Sequence, residues 1–239
     1  MMKKKEIVTN HISIAKKKDY SHIIETAKHT SHEIADGLKI LRSIDEDVIS
    51  IFGSHITSEK SKDYIRCEKT AYMLGKKGYA IMSGGGPGIM KAANSGATRA
   101  KTISIGFKAA LLKKEQSVNS NLYTHQYAFH FLFVRRFCLA VESRALIFFP
   151  GGYGTLNELY EYITLIGTHM EEPIPVICVN KEYWKGLFNW MKNNALKEGY
   201  INTKDLESIY LVDTPEEVVK IIEETKKKTN VNIPLIVKP

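Results

Sequence analysis

The sequence predicts an α/β protein, a doubly wound parallel sheet with helices on both faces. Three observations predict it. Short apolar runs, such as 48–52 and 145–149, have the length of strands buried on both faces. Between them lie stretches whose apolar residues recur at helical spacing. Glycine-rich turns at 83–88 and 150–154 lead from such a run straight into such a stretch. Strand and helix alternating in this way form βαβ units, which close into a parallel sheet.

Each element has its own signal. The basic stretch 1–17 is read as poorly ordered. Residues 18–45 carry Ile23, Ile24, Ala27, Ile34, Leu38 and Leu41 with few breakers, and are read as a helical extension. With no internal repeat or low-complexity linker, residues 46–239 are read as one Rossmann-like domain. Its strands are predicted at 48–52, 79–82, 102–107, 145–149, 174–179 and 209–212. Its helices are predicted at 59–77, 89–99, 129–141, from 155 onward, 183–196 and 215–227. Residues 108–127 are polar and mixed, without a clear period. In the common doubly wound order, 3-2-1-4-5-6, the loops at 53–57, 83–88 and 150–155 meet at the switch point between strands 1 and 4.

Composition narrows the class. At 239 residues and 44% apolar, the chain suits one large α/β domain. No run approaches the ~18 apolar residues of a membrane span. The start, Met1-Met2-Lys3-Lys4-Lys5, has no apolar core after it and does not read as a secretory signal. Cys67, Cys138 and Cys178 lie far apart, which suits neither a zinc site nor a disulfide framework and points to a reducing cytoplasm. The net charge of +8 gathers largely in lysine runs near the two ends. It reads as solvated tails and faces, so nucleic acid is an unlikely partner and a membrane is not expected.

The chemistry gathers in the glycine turns. A glycine turn at a helix start lets backbone N–H groups approach an anion. Gly84, Gly85, Gly86 and Gly88 fit neither a dinucleotide fingerprint nor a lysine phosphate loop. Paired with Gly151, Gly152, Tyr153, Gly154 and Thr155, they suit a phosphate plus a sugar better than a single anion. Glu158 is read as lying in the first helical turn beside this anion site, where a carboxylate is electrostatically awkward. It has a plain alternative: Thr155-Leu156-Asn157-Glu158 also reads as a capping box. No His/Cys cluster has metal spacing, so no metal is expected. His125 and His130 read as structural, while Tyr123, Tyr127 and Phe131 are open between stacking on a base and packing in the core.

Three segments together resemble the LOG (Lonely Guy) family: residues 83–90 (SGGGPGIM), 133–136 (FVRR) and 150–158 (PGGYGTLNE). The resemblance runs from about Glu33 to Asn180. The stretch from Ser104 through Glu115-Gln116 to Arg135 is most similar to the bacterial branch of that family, which acts on purine and pyrimidine nucleotides. The resemblance implies a modified Rossmann fold and hydrolysis of the N-glycosidic bond of a nucleoside 5′-monophosphate, AMP-like or a cytokinin riboside 5′-monophosphate, without metal or redox cofactor. It also implies a homodimer or higher assembly. Carried over to this chain, the essential pair falls on Arg135 and Glu158, and Arg136 stands at the neighbouring basic position. Glu115 falls on a substrate-contacting acid, with a solvated loop residue as its alternative. Gly53, Ser54 and Thr164 complete the candidate binding set. Two departures stand out: His55-Ile56 where Ala-Arg is usual, and Gly167 where Gln is usual.

The pair also makes chemical sense alone. Breaking a ribosyl C1′–N bond builds positive charge on the sugar. A carboxylate offsets that charge or activates the capturing water. Arginine suits phosphate through its planar fork. Adjacent on a helix, Arg135 and Arg136 point about 100° apart, so Arg136 is open between site and surface. The alternative function is a non-catalytic nucleotide-binding or carrier protein on the same fold. A lysine decarboxylase is poorly supported, because nothing marks a pyridoxal-phosphate lysine and its ring partner.

Overall fold

The computed structural model describes residues 21–112, 118, 120–168, 174–207 and 209–229. The stretch 1–17 and Glu115 lie outside these residues.

Helix α1 (Ser21–Arg42) leads into strand β1 (Val48–Phe52), then α2 (Lys62–Lys76), β2 (Ala80–Ser83), α3 (Ile89–Ala100) and β3 (Ser104–Ala109). Strand β4 (His125–Phe129) precedes α4 (Leu132–Ala140), β5 (Ser143–Phe148), α5 (Tyr153–Gly167) and β6 (Val176–Val179). Helix α6 (Lys181–Trp190) runs on as a π-helical segment (Met191–Leu196), followed by α7 (Thr203–Glu207), β7 (Ile209–Val212) and α8 (Pro215–Thr229).

The strands form one parallel sheet in the order β4-β3-β2-β1-β5-β6-β7. Without β4, this is the predicted 3-2-1-4-5-6 order. The additional strand corrects two expectations. Residues 125–127 belong to the sheet, and Phe129 ends a strand instead of opening a helix. The cause is position. An edge strand has one exposed side, and β4 alternates between half-buried and exposed residues until the buried Phe129. His-Gln-Tyr-Ala therefore carries none of the apolar continuity of the central strands.

Alternation along each strand splits the core into two layers. In β1, Ile49 and Ile51 point towards α2, α3 and α8, among Cys67, Leu74, Ala93 and Val218. Val48 and Phe52 point the other way, among Val134, Cys138, Leu139, Leu159, Tyr162 and Trp184 of α4, α5 and α6. Both faces of the sheet are covered, as a parallel sheet requires. The arginine helix α4 and the glutamate helix α5 share one face, and both begin at the carboxyl end of the sheet.

Candidate active site

At that end, beside the β1/β5 switch point, lies a pocket of about 410 Å³. This is an ordinary size for a small-molecule site, ~300–1,000 Å³. Gly53, Ser54, His55 and Ile56 line it from the loop after β1. Gly152, Tyr153, Gly154, Thr155, Asn157 and Glu158 line it from the start of α5, and Arg135 and Arg136 from α4. Met90, Leu112 and Leu132 add apolar wall. The loops after β1 and β5 are tied together by the Ser54 N–H, which donates to the Pro150 carbonyl at 3.1 Å.

Arg135 is only 7% exposed. Its Nε donates to the Phe107 carbonyl at 2.7 Å, and its Nη2 to the Gly84 carbonyl at 3.1 Å. Two backbone carbonyls thus fix the plane of the guanidinium at the base of the pocket. Arg136 sits at the rim, with Nε paired to the Glu161 carboxylate. Both arginines line the pocket, so Arg136 is not merely a surface charge. The Tyr162 hydroxyl donates to the Arg136 carbonyl at 2.8 Å. Burial pushes the Tyr162 phenol well above its ordinary range. The Glu158 and Glu161 carboxylates add to that shift, and Arg136 and Arg135 oppose it. Acid and base from two helices are therefore felt at one phenol.

The first glycine loop has a different place from the one expected. Gly84, Gly85, Gly86 and Gly88 do not line the pocket; they support it from behind. A Cβ on Gly84 would lie 2.0 Å from Arg135 Nη2, so only glycine lets the guanidinium sit there. Gly88 has φ +66°, and a Cβ there would lie 2.3 Å from the Ser54 carbonyl oxygen. That same carbonyl accepts from the Ile89 N–H, which binds the start of α3 to the β1 loop.

The second glycine loop forms the pocket wall itself. Gly152 is the N-cap of α5, with no side-chain cap bond, and the first turn carries no acid. The first intrahelical bond runs from the Leu156 N–H to the Gly152 carbonyl. The preceding N–H groups have no intrahelical partner and suit an anion. The helix begins two residues before the expected Thr155. Thr155 is therefore an N3 residue and Glu158 lies in the second turn. This helix start leaves no place for the Thr155–Glu158 capping box, the alternative read from the sequence. Gly151 sits just outside the pocket, pressed against the Thr155 side chain. Thr164 lies two turns along α5, its hydroxyl bonded to the Tyr160 carbonyl, and is not part of the pocket. Gly167, at the helix end, faces Asp205 of α7. Leu112 and Leu132 join the lining without any sequence signal of their own, since tertiary placement alone puts them there, while His55, Ile56, Met90 and Asn157 lie within segments the sequence singles out but does not mark as contacts.

Residues 90–222 match the model of a protein family described as "Possible lysine decarboxylase". That is more than half of the chain. The chain belongs to this family, the LOG family. It is 39% identical over 88 residues to a cytokinin riboside 5′-monophosphate phosphoribohydrolase of Arabidopsis thaliana, covering 36% of this chain and 40% of that protein. Against the Mycobacterium tuberculosis (strain ATCC 25618 / H37Rv) protein of the same description, identity is 33% over 82 residues, 33% of this chain and 42% of that one. The matched segment thus spans less than half of these relatives' length. In fold, the chain is similar to the molybdenum cofactor binding protein of Rippkaea orientalis, with a TM-score of 0.59 at 18% identity over 77% of this chain and 99% of that one. The family's decarboxylase description finds no support in this pocket: its described lining holds no lysine to form a Schiff base.

Proposed function

We propose that this LOG-family chain is an enzyme that hydrolyses the N-glycosidic bond of nucleoside 5′-monophosphates, releasing the free base and ribose 5-phosphate. One observation carries the reading. A single pocket brings together an N-terminal helix turn suited to phosphate, the anchored cation Arg135 and the carboxylate Glu158.

The reaction balances with water alone. As the C1′–N bond breaks, its electron pair leaves with the base and positive charge grows on the ribose. Water oxygen bonds to C1′, one water proton is lost, and the departing base gains one. Glu158 offsets the growing charge or accepts the water proton, and either role needs its negative charge. The phosphate sits on the α5 N-terminus, where dipole and N–H groups favour it. Arg135 and Arg136 hold the phosphate or steady the leaving base. Phosphate binding also explains why a carboxylate can stand beside an anion site. The cations and the helix end offset the repulsion while the reacting sugar meets the acid.

The assembly is proposed to be a homodimer or larger. Leu132, Phe133 and Phe137 of α4 are 47%, 52% and 39% exposed, more apolar surface than one core face uses. No described helix is long and apolar enough to cross a membrane. The three cysteines are buried thiols, which suits the reducing cytoplasm proposed as the location. The alternative, a carrier that binds nucleotide without turnover, has only the likeness of fold behind it. Incubation with a panel of nucleoside monophosphates, followed by detection of free base and ribose 5-phosphate, separates the two.

A further inference from the structure

The helix that carries both arginines is pinned at each end. At its C-terminal end the Leu139 carbonyl accepts from the Ser50 hydroxyl at 2.6 Å and from the Ser143 hydroxyl at 3.0 Å. At its N-terminal end the N-cap residue, Phe131, supplies no side-chain acceptor. The acceptor comes instead from α1, almost a hundred residues earlier. Glu33 is 5% exposed. Its Oε1 accepts from the His130 backbone N–H at 2.8 Å and lies 2.9 Å from His130 Nδ1. Its Oε2 accepts from the Phe131 N–H at 3.2 Å. The Phe131 carbonyl in turn accepts from the Arg135 N–H at 3.1 Å. The chain of contacts runs Glu33, Phe131 peptide, Arg135.

We propose that Glu33 is a positioning residue for Arg135: its carboxylate fixes the first turn of α4 and so holds the guanidinium at the base of the pocket. The chemistry of the contact supports this. A carboxylate at a helix N-terminus meets both the unpaired N–H groups and the positive end of the helix dipole. A buried carboxylate that has left water must recover its bonds locally, and Glu33 does so on His130 and on Phe131, the N-cap of α4. A second contact ties the same region of α1 to the sheet beside α4: the Tyr127 hydroxyl donates to Asp36 Oδ2 at 3.3 Å. Helix α1 lies outside the stretch 90–222 that matches the family, yet it bears on the arginine helix directly. The inference rests on Arg135 contacting the substrate, as proposed above.

A double-mutant cycle tests it, with AMP binding measured by calorimetry in the wild type, Glu33→Gln, Arg135→Met and the double variant. Methionine fills the arginine's volume with an adaptable unbranched chain. Glutamine keeps the size of Glu33 but turns an NH2 group towards a donor. If Glu33 acts through Arg135, Glu33→Gln weakens AMP binding about tenfold with Arg135 present and less than about twofold in the Arg135→Met background, a coupling normal for residues in one network. Equal factors in both backgrounds, or no weakening beside Arg135, overturn the proposal. Should Glu33→Gln not fold, His130→Ala serves. Its ring is 67% exposed and supplies one of three donors, so about threefold weakening is expected, again only beside Arg135. A second readout needs no ligand. The Arg135 Nε–H, which donates to the Phe107 carbonyl, should shift or broaden in the 15N spectrum of Glu33→Gln, and an unchanged resonance overturns the proposal. Wild type that binds AMP without releasing adenine sinks the hydrolase reading alone. Wild type that does not bind AMP sinks that reading too, and leaves Glu33 to be judged on the spectrum.

Discussion

At the scale of single residues, the chemistry turns on what Glu158 does, because the structure gives it no capping role. Glu158→Gln keeps size and hydrogen-bonding reach but removes the charge. Stability should stay within about 1 kcal/mol, because the amide keeps the shape and reach of the acid. Turnover of a nucleoside monophosphate should fall about 10²–10⁴-fold, the scale of a lost acid or base. A melting curve and kcat, measured side by side, check both halves. Near wild-type kcat would make the carboxylate structural. Gly84 gives a second test. A methyl group there would lie 2.0 Å from Arg135 Nη2, the far end of a flexible side chain. Gly84→Ala should therefore move the guanidinium while sparing the fold. We expect kcat/KM to drop at least about tenfold, the usual cost of misplacing a positioned group, with a melting temperature close to wild type. A large loss of melting temperature without the loss of kcat/KM would contradict this. Arg135 and Glu158 stand out as candidates in the sequence because each sits in a compact motif, and the fold brings both to one pocket. Gly84 was legible as a glycine but not by its role, since nothing local announces that an arginine some fifty residues later lies over it.

Elements show where local pattern misleads. Thr155-Leu156-Asn157-Glu158 and Thr214-Pro215-Glu216-Glu217 have the same capping-box pattern. Only the second forms one. Glu217 Oε2 accepts from the Asp213 and Thr214 N–H groups, and Thr214 Oγ1 accepts from the Glu217 N–H at 3.2 Å. The Asp213 N–H first, and then the Thr214 hydroxyl, which donates to Glu217 Oε2 at 2.8 Å, hold the Glu217 carboxyl down at about 2. In the first case the glycines let α5 begin early, which carries Thr155 and Glu158 into the helix body. Thr214→Ala should accordingly cost about 1 kcal/mol, the usual loss on removing an N-cap, while Thr155 has no such role to lose. Urea denaturation of Thr214→Ala measures it, and an unchanged midpoint would show that α8 does not depend on this cap. The bonded carboxylate of Glu217 also fixes a sign: its folded-state value is depressed, so its contribution is complete above the unfolded carboxylate range and fades as pH falls towards 2. Strand β4 escaped the sequence reading for an equally physical reason. Its half-exposed edge position leaves no continuous apolar run, and its neighbour α4 starts after it at Leu132.

For the whole molecule, the alternation of strands and helices was enough to order six of the seven strands, because right-handed βαβ units leave few arrangements. That order alone puts the loops after β1 and β5 together. The surface of α4 makes a further expectation. With Leu132, Phe133 and Phe137 exposed on α4, light scattering at micromolar concentration should give at least twice the chain mass of 27.1 kDa. A value near one chain would leave that apolar face unexplained. The central claim, however, is catalytic, and product analysis with AMP tests it most directly. Adenine and ribose 5-phosphate should appear in equal amounts, with adenosine cleaved far more slowly because it lacks the phosphate proposed to sit on the α5 N-terminus. AMP bound without release of adenine, or adenosine cleaved with equal kcat/KM, would contradict it.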